Sequence, residues 1–267
     1  MAHSKEKHLT NRLGKGYDAN SAGLTQRIFQ TETLPGEAVN CARCFSPLSS
    51  DHEESQQTKA ADEKTIRVLL DKHGCPTPFH EVRALFLGNI ATPDLTASPM
   101  RIVKGLWAGE FPVFDSMDGA NELIGVLVHG LWNDLTKHQK RSQPFRLTRL
   151  NLDPTPKNLS YFAQVRRQEL EGFIEGLFNG QDSIDLPERA HRALGHLGEL
   201  RAMMAGIEDL VARDIEAESR TNLEVTFKHV GELTRIMETE IHEAVLSCTR
   251  ARRQMLQGVP TENPTLH

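Results

Sequence analysis

The chain has 267 residues, 38% of them hydrophobic, with a mean hydropathy of −0.44 and a formal net charge of −5. That is enough for one large domain, or a domain with a tail, and its mild acidity excludes a global electrostatic pull toward nucleic acid or anionic membrane. No apolar run approaches the roughly 18 residues of a membrane span, the first residues are polar rather than a signal core, and four scattered cysteines (Cys41, Cys44, Cys75, Cys248) make no disulfide scaffold, so a reducing cytoplasm is the expected compartment.

Residues 1–60 stand apart. Only nine of them are Leu, Ile, Val or Phe, below the ~20% at which a core becomes hard to bury. This stretch reads as a flexible polar arm carrying one Cys-x-x-Cys. From about Asp62 the pattern turns helical. Ile66, Leu69 and Leu70 share a face, and the segment stops at His73-Gly74. Thr77-Pro78 opens a second helix, with Pro at the first helical position, carrying Val82, Leu85, Phe86 and Ile90. Ser98-Pro99 opens a third with Ile102, Val103, Leu106 and Trp107. Asp115 or Ser116 caps a longer one carrying Leu123, Ile124, Leu127, Val128, Leu131, Trp132 and Leu135.

Pro144, Pro154 and Pro156 interrupt the helical pattern over 141–157. Helix resumes from about Asn158, with Phe162, Val165, Leu170, Phe173, Ile174 and Leu177, and stops at Asn179-Gly180. Another begins near Leu186-Pro187 and carries Leu194, Leu197, Leu200 and Met204. No run alternates as a strand would. The last helix is the most regular. Leu223, Phe227, Val230, Thr234, Met237, Ile241, Ala244, Cys248, Ala251 and Met255 recur at steps of four and three, a heptad seam with one polar intrusion at Thr234. Such a seam packs either across its own domain or in a coiled coil between subunits. The expectation is therefore an all-α protein: an arm over 1–60, a bundle over 61–210 and a long heptad-patterned helix over 211–258.

Within the bundle, Ala84-Leu85-Phe86-Leu87-Gly88-Asn89-Ile90-Ala91 is followed by Ser98-Pro99 and by Leu106-Trp107-Ala108-Gly109-Glu110 with Pro112 and Phe114. Ala120-Asn121-Glu122-Leu123 and Leu131-Trp132-Asn133 come next, then Leu170-Glu171-Gly172-Phe173-Ile174-Glu175-Gly176-Leu177. In this order the motifs, over roughly 62–210, resemble the YecA/YgfB family of bacterial helical proteins. The resemblance implies an all-α bundle, often dimeric, without established enzymatic activity. Some members carry a C-terminal cysteine-rich metal module; here the C-terminal region has only Cys248, so that module is not expected. Gly88 and Gly172 fall inside apolar helices, where glycine costs about 1 kcal/mol against alanine, and close helix–helix approach is the compensation expected. Trp107 and Trp132 read as core anchors whose indole N–H groups need partners.

Cys41-Ala-Arg-Cys44 is the one spacing with metal meaning. Two thiolates hold one edge of a zinc site, and four ligands are needed; the nearest others are His52, His73 and Cys75, with His52 or Cys75 taken to complete the set. No βα unit surrounds the pair to suggest redox catalysis. His80-Glu81 and His242-Glu243 begin a zinc-protease pattern, but Ala84 and Leu246 stand where the second histidine must be. His191 and His196 point to different sides of one helix. Phosphate-binding glycine loops and nucleophile elbows are absent. Lys137, His138, Lys140, Arg141, Arg146 and Arg149 form a basic run around Phe145. Cations favoured at a helix C-terminus explain it better than nucleic acid does.

The expectation is a non-enzymatic regulatory or adaptor protein acting through protein contacts, as a homodimer with no membrane or nucleic-acid partner and no cofactor. Trp107, Glu110, Trp132, Phe227, Met237 and Ile241 are the candidate interaction residues. The alternative is a zinc-binding interaction protein using Cys41, Cys44, His52 and Cys75. A hydrolase would need a cleft gathering Glu110, Asp115, His129 or Glu175.

Overall fold

A computed structural model describes residues 62–213 and 220–258, so the arm expected over 1–60 lies outside the described residues. The described residues form an all-α bundle without strands. In chain order they are α1 (Glu63–Lys72), α2 (Phe79–Ala91), α3 (Pro99–Gly105) and α4 (Met117–Ile124), which runs on into a π-helical segment (Gly125–Trp132). The short α5 (Asn133–Leu135) and a 3₁₀ turn (Thr136–Gln139) follow, then α6 (Pro156–Phe178), α7 (Glu188–Arg213) and α8 (Arg220–Gly258).

The start and stop signals act as their chemistry requires. Ser98 Oγ accepts from the Met100 amide with Pro99 at the first helical position, and Ser116 Oγ accepts from Gly119. Asn179 ends α6 in the left-handed region at φ 52°. Two boundaries differ from the sequence reading. Pro78 is the cap of α2 rather than its first residue. α6 begins at Pro156, before Asn158, because Thr155 Oγ1 caps the Asn158 amide, repeating the Ser98-Pro99 device where prolines suggested only a break.

α2 and α6 form the centre of the bundle, and glycine sets their separation. A Cβ on Gly88 would overlap the Phe173 carbonyl oxygen and lie 2.6 Å from the Leu177 amide. One on Gly176 would overlap the Leu85 carbonyl oxygen, and one on Gly172 would lie 2.8 Å from that of Glu81. Backbone therefore rests on backbone, and the cost of glycine in a helix is offset by that close approach.

In the fourth helical stretch, Leu123, Leu127, Leu131 and Leu135 follow one another at every fourth position, and all four are buried. In an α-helix a four-residue step over-rotates by about 40°. The π segment takes more residues per turn, and Leu127 and Leu131 lie buried within it.

α7 packs on α6, and α8 packs on α7, α6 and α2. The heptad seam is filled within the chain: Leu223, Val230, Met237, Ile241, Ala244 and Cys248 all belong to its hydrophobic core. α8 is therefore part of the same core as the preceding helices. Thr234, the polar intrusion, accepts a hydrogen bond from Arg166 Nε at 3.1 Å.

Candidate functional site

The sequence-predicted interaction residues fall into three settings. Trp107 and Trp132 are half-buried, and each indole N–H has the partner it needs: the His73 carbonyl at 2.9 Å and Asn89 Oδ1 at 3.2 Å. Met237 and Ile241 are wholly buried in the chain's own core, and Phe227 lies half-buried against Phe162. Met237 and Ile241 are thus core residues of this chain, and Phe227 packs against that core while staying partly exposed. Glu110 is exposed in the loop after α3.

That loop has an unusual anchor. Ala108 and Gly109 are successive left-handed residues at φ 57° and 94°, a conformation that costs a non-glycine residue ~1 kcal/mol or more. The Gly109 amide donates to the Lys104 carbonyl at 3.0 Å and fixes the turn. Beyond it the chain holds Val113 out at 95% exposure and Met117 at 71%.

Of the metal set, Cys41, Cys44 and His52 lie outside the described residues. Cys75 is half-buried, and its Sγ donates to the carbonyls of Thr77 at 3.6 Å and Leu106 at 3.9 Å. Burial pushes its pKa up, so it sits as a thiol satisfied by the fold rather than as a thiolate ready to ligate. No group of three potential ligands converges among the described residues. His80 pairs with Gln168 at 2.9 Å and His196 with Glu240 at 3.1 Å. Glu110, Asp115, His129 and Glu175 are each exposed.

Several reactive-looking groups are occupied in holding the chain together. Arg166 and Glu169 form an ion pair that is 3% and 0% exposed. Glu169 Oε1 accepts from the Thr148 amide at 2.8 Å, while Arg166 Nη2 donates to the Thr148 carbonyl at 2.6 Å. Glu238 of α8 accepts from the Leu147 amide at 3.0 Å and pairs with Arg146. The proline-rich connection is thereby clamped to two helices, with Phe145 and Leu147 buried beneath it. At the ends of α2 and α6, Asn89 Nδ2 donates to Asn179 Oδ1, and Asn179 and Gln181 both donate to Asp94. Lys137 is tied to Asp134, so the basic run predicted over 137–149 is partly neutralised.

Other cations gather around a cavity. A cavity of about 330 Å³ opens between the 3₁₀ turn, the first turn of α7 and the later turns of α8. Lys140, Arg141, Arg189, Arg250 and Arg253 line it, with Glu243 as its one carboxylate. None of the five cations has an ion pair or a side-chain hydrogen bond among the described residues, whereas Arg67, Arg146, Arg166, Arg167 and Arg235 all do. Lys140 and Arg141 belong to the basic run seen in the sequence, and Arg250 and Arg253 lie near the C-terminal end of α8. Arg189 joins them only through the fold, from a segment with no basic run of its own. None of Trp107, Glu110, Asp115, His129 or Glu175 lines this cavity.

Along the described residues no helix is long and apolar enough to cross a membrane. Comparison of the chain with protein-family models, with curated proteins and with solved structures finds no match, so the fold and the site stand on the chain's own residues.

Proposed function

We propose that the protein is a non-enzymatic regulatory or adaptor protein of the cytoplasm that acts through protein–protein contacts, as a homodimer, in keeping with its resemblance to the YecA/YgfB family. The observation that carries this reading is the loop between α3 and α4. The left-handed pair Ala108-Gly109 turns the chain out of α3, and beyond it Val113 in the loop and Met117 in the first turn of α4 are exposed to solvent. Large apolar side chains held out on a fixed turn are the composition of a contact surface rather than of a solvated loop. The engagement of Arg166, Glu169, Glu238 and Cys75 in structural bonds supports the same reading, because each is withdrawn from proton transfer or nucleophilic attack.

Sedimentation velocity on the full chain and affinity purification from native lysate test this, with the wild type and Val113→Asp/Met117→Asp compared side by side. The wild type is expected to sediment as a dimer or retain a partner, and the double variant to lose that assembly while keeping its helical circular dichroism. A wild-type monomer that recovers no partner overturns the proposal, as does a double variant that retains every assembly.

A further inference from the structure

The contacts assigned to the α3–α4 loop make no use of the basic cavity. Its lining brings Lys140 and Arg141, Arg189, and Arg250 and Arg253 together from three segments far apart in sequence. The single carboxylate Glu243 leaves a surplus of positive charge around the cavity, which favours an anionic occupant. This happens in a chain whose formal net charge is −5, so it is not an effect of overall composition.

We propose that this cavity binds a small phosphoryl anion with two or more negative charges, of the pyrophosphate class. Arginine forks match the oxygens of a phosphoryl group in paired hydrogen bonds, and four of the five cations are arginines. The volume lies at the lower end of the ~300–1,000 Å³ typical of ligand sites, which suits a compact anion. No aromatic side chain lines the cavity, so a nucleobase finds no face to stack on. A nucleic-acid strand would want a longer stripe. Of the basic run seen in the sequence, Lys137 and Arg146 are spent on Asp134 and Glu238.

Calorimetric titration of the full chain with sodium pyrophosphate at low ionic strength tests the site, with citrate and a single-stranded oligonucleotide titrated in parallel. Pyrophosphate is expected to bind saturably at one site. Arg189→Ala/Arg250→Ala should weaken it by about tenfold or more, as expected for lost charge-assisted bonds. Citrate should bind at least several-fold more weakly. Absence of saturable pyrophosphate binding overturns the proposal, as does unchanged affinity in the arginine variant. Citrate binding as tightly overturns the phosphoryl assignment. Oligonucleotide binding tighter than pyrophosphate and lost in the same variant makes the surface a nucleic-acid site instead. None of these residues lies in the α3–α4 loop, so the outcome is independent of the dimer and partner contacts.

Discussion

Glu81 sits on α2 where the helix meets α6, half-buried, with Glu171 and Glu175 facing it and Arg167 as the nearby cation. Burial, and then repulsion from Glu175 and Glu171, push its pKa from 4.5 up to about 7. Between those two values the folded chain holds a proton that the unfolded chain has released. Stability contributed at this position therefore falls as pH rises through that window, and the cost is fully present above about 7. Glu81→Gln should raise the melting temperature at pH 8 and lose that advantage on titration to pH 4.5. A constant difference across that range would show that Glu81 does not titrate in it. The buried Arg166–Glu169 pair makes a different case. Glu169→Ala leaves a guanidinium without its carboxylate and the Thr148 amide without its acceptor, a loss of about 3–5 kcal/mol in chemical denaturation. Replacing both residues with apolar ones should not restore stability, because Thr148 would then lose partners for its amide and its carbonyl. Neither site was legible in the sequence. Glu81 was noticed only as half of a failed zinc motif, and Arg166 and Glu169 look like any charged pair three apart on a helix. What distinguishes them is burial, which depends on what packs above them.

At the scale of the element, much more could be read. Capping by Ser98 and Ser116 and the stop at Asn179 are local chemistry, settled by a few adjacent residues. The close-packed glycines were legible in part: Gly88 and Gly172 stand out as costly in apolar helices. Gly176, one turn on, makes the tightest approach of all. Gly88→Ala and Gly176→Ala should each destabilise the fold by ~3 kcal/mol or more, since the new methyl meets main chain on the facing helix. Gly195 and Gly198 of α7 supply the control. A Cβ there meets nothing, so alanine should stabilise by up to ~1 kcal/mol. Equal melting shifts at the two pairs would contradict the backbone-on-backbone contact. The π-helical turn was not legible as such. A leucine at every fourth position does not mark it, since α6 buries Val165, Glu169, Phe173 and Leu177 at the same spacing as a regular α-helix.

At the scale of the whole molecule, periodicity reaches its limit. A heptad seam states that a helix buries one face, and says nothing about whose side chains cover it. Here α7 and α6 cover it, which turns Met237 and Ile241 from expected interaction residues into core. The basic cavity was hidden for the same reason: its cations become neighbours only once α7 and α8 pack together. The placement of the seam has a thermodynamic consequence. Met237→Ala removes a side chain that is 0% exposed within one chain, so it should cost ~2–5 kcal/mol as a core truncation. A core truncation lowers the melting temperature by the same amount at every protein concentration. A seam shared between subunits would instead make folding bimolecular and raise the melting temperature with concentration. Thermal unfolding of Met237→Ala and wild type over a hundredfold concentration range separates the two. The shift between them is expected to stay constant even if the wild type is a dimer through its α3–α4 loop. That contact leaves the seam untouched, and dissociation there does not expose Met237.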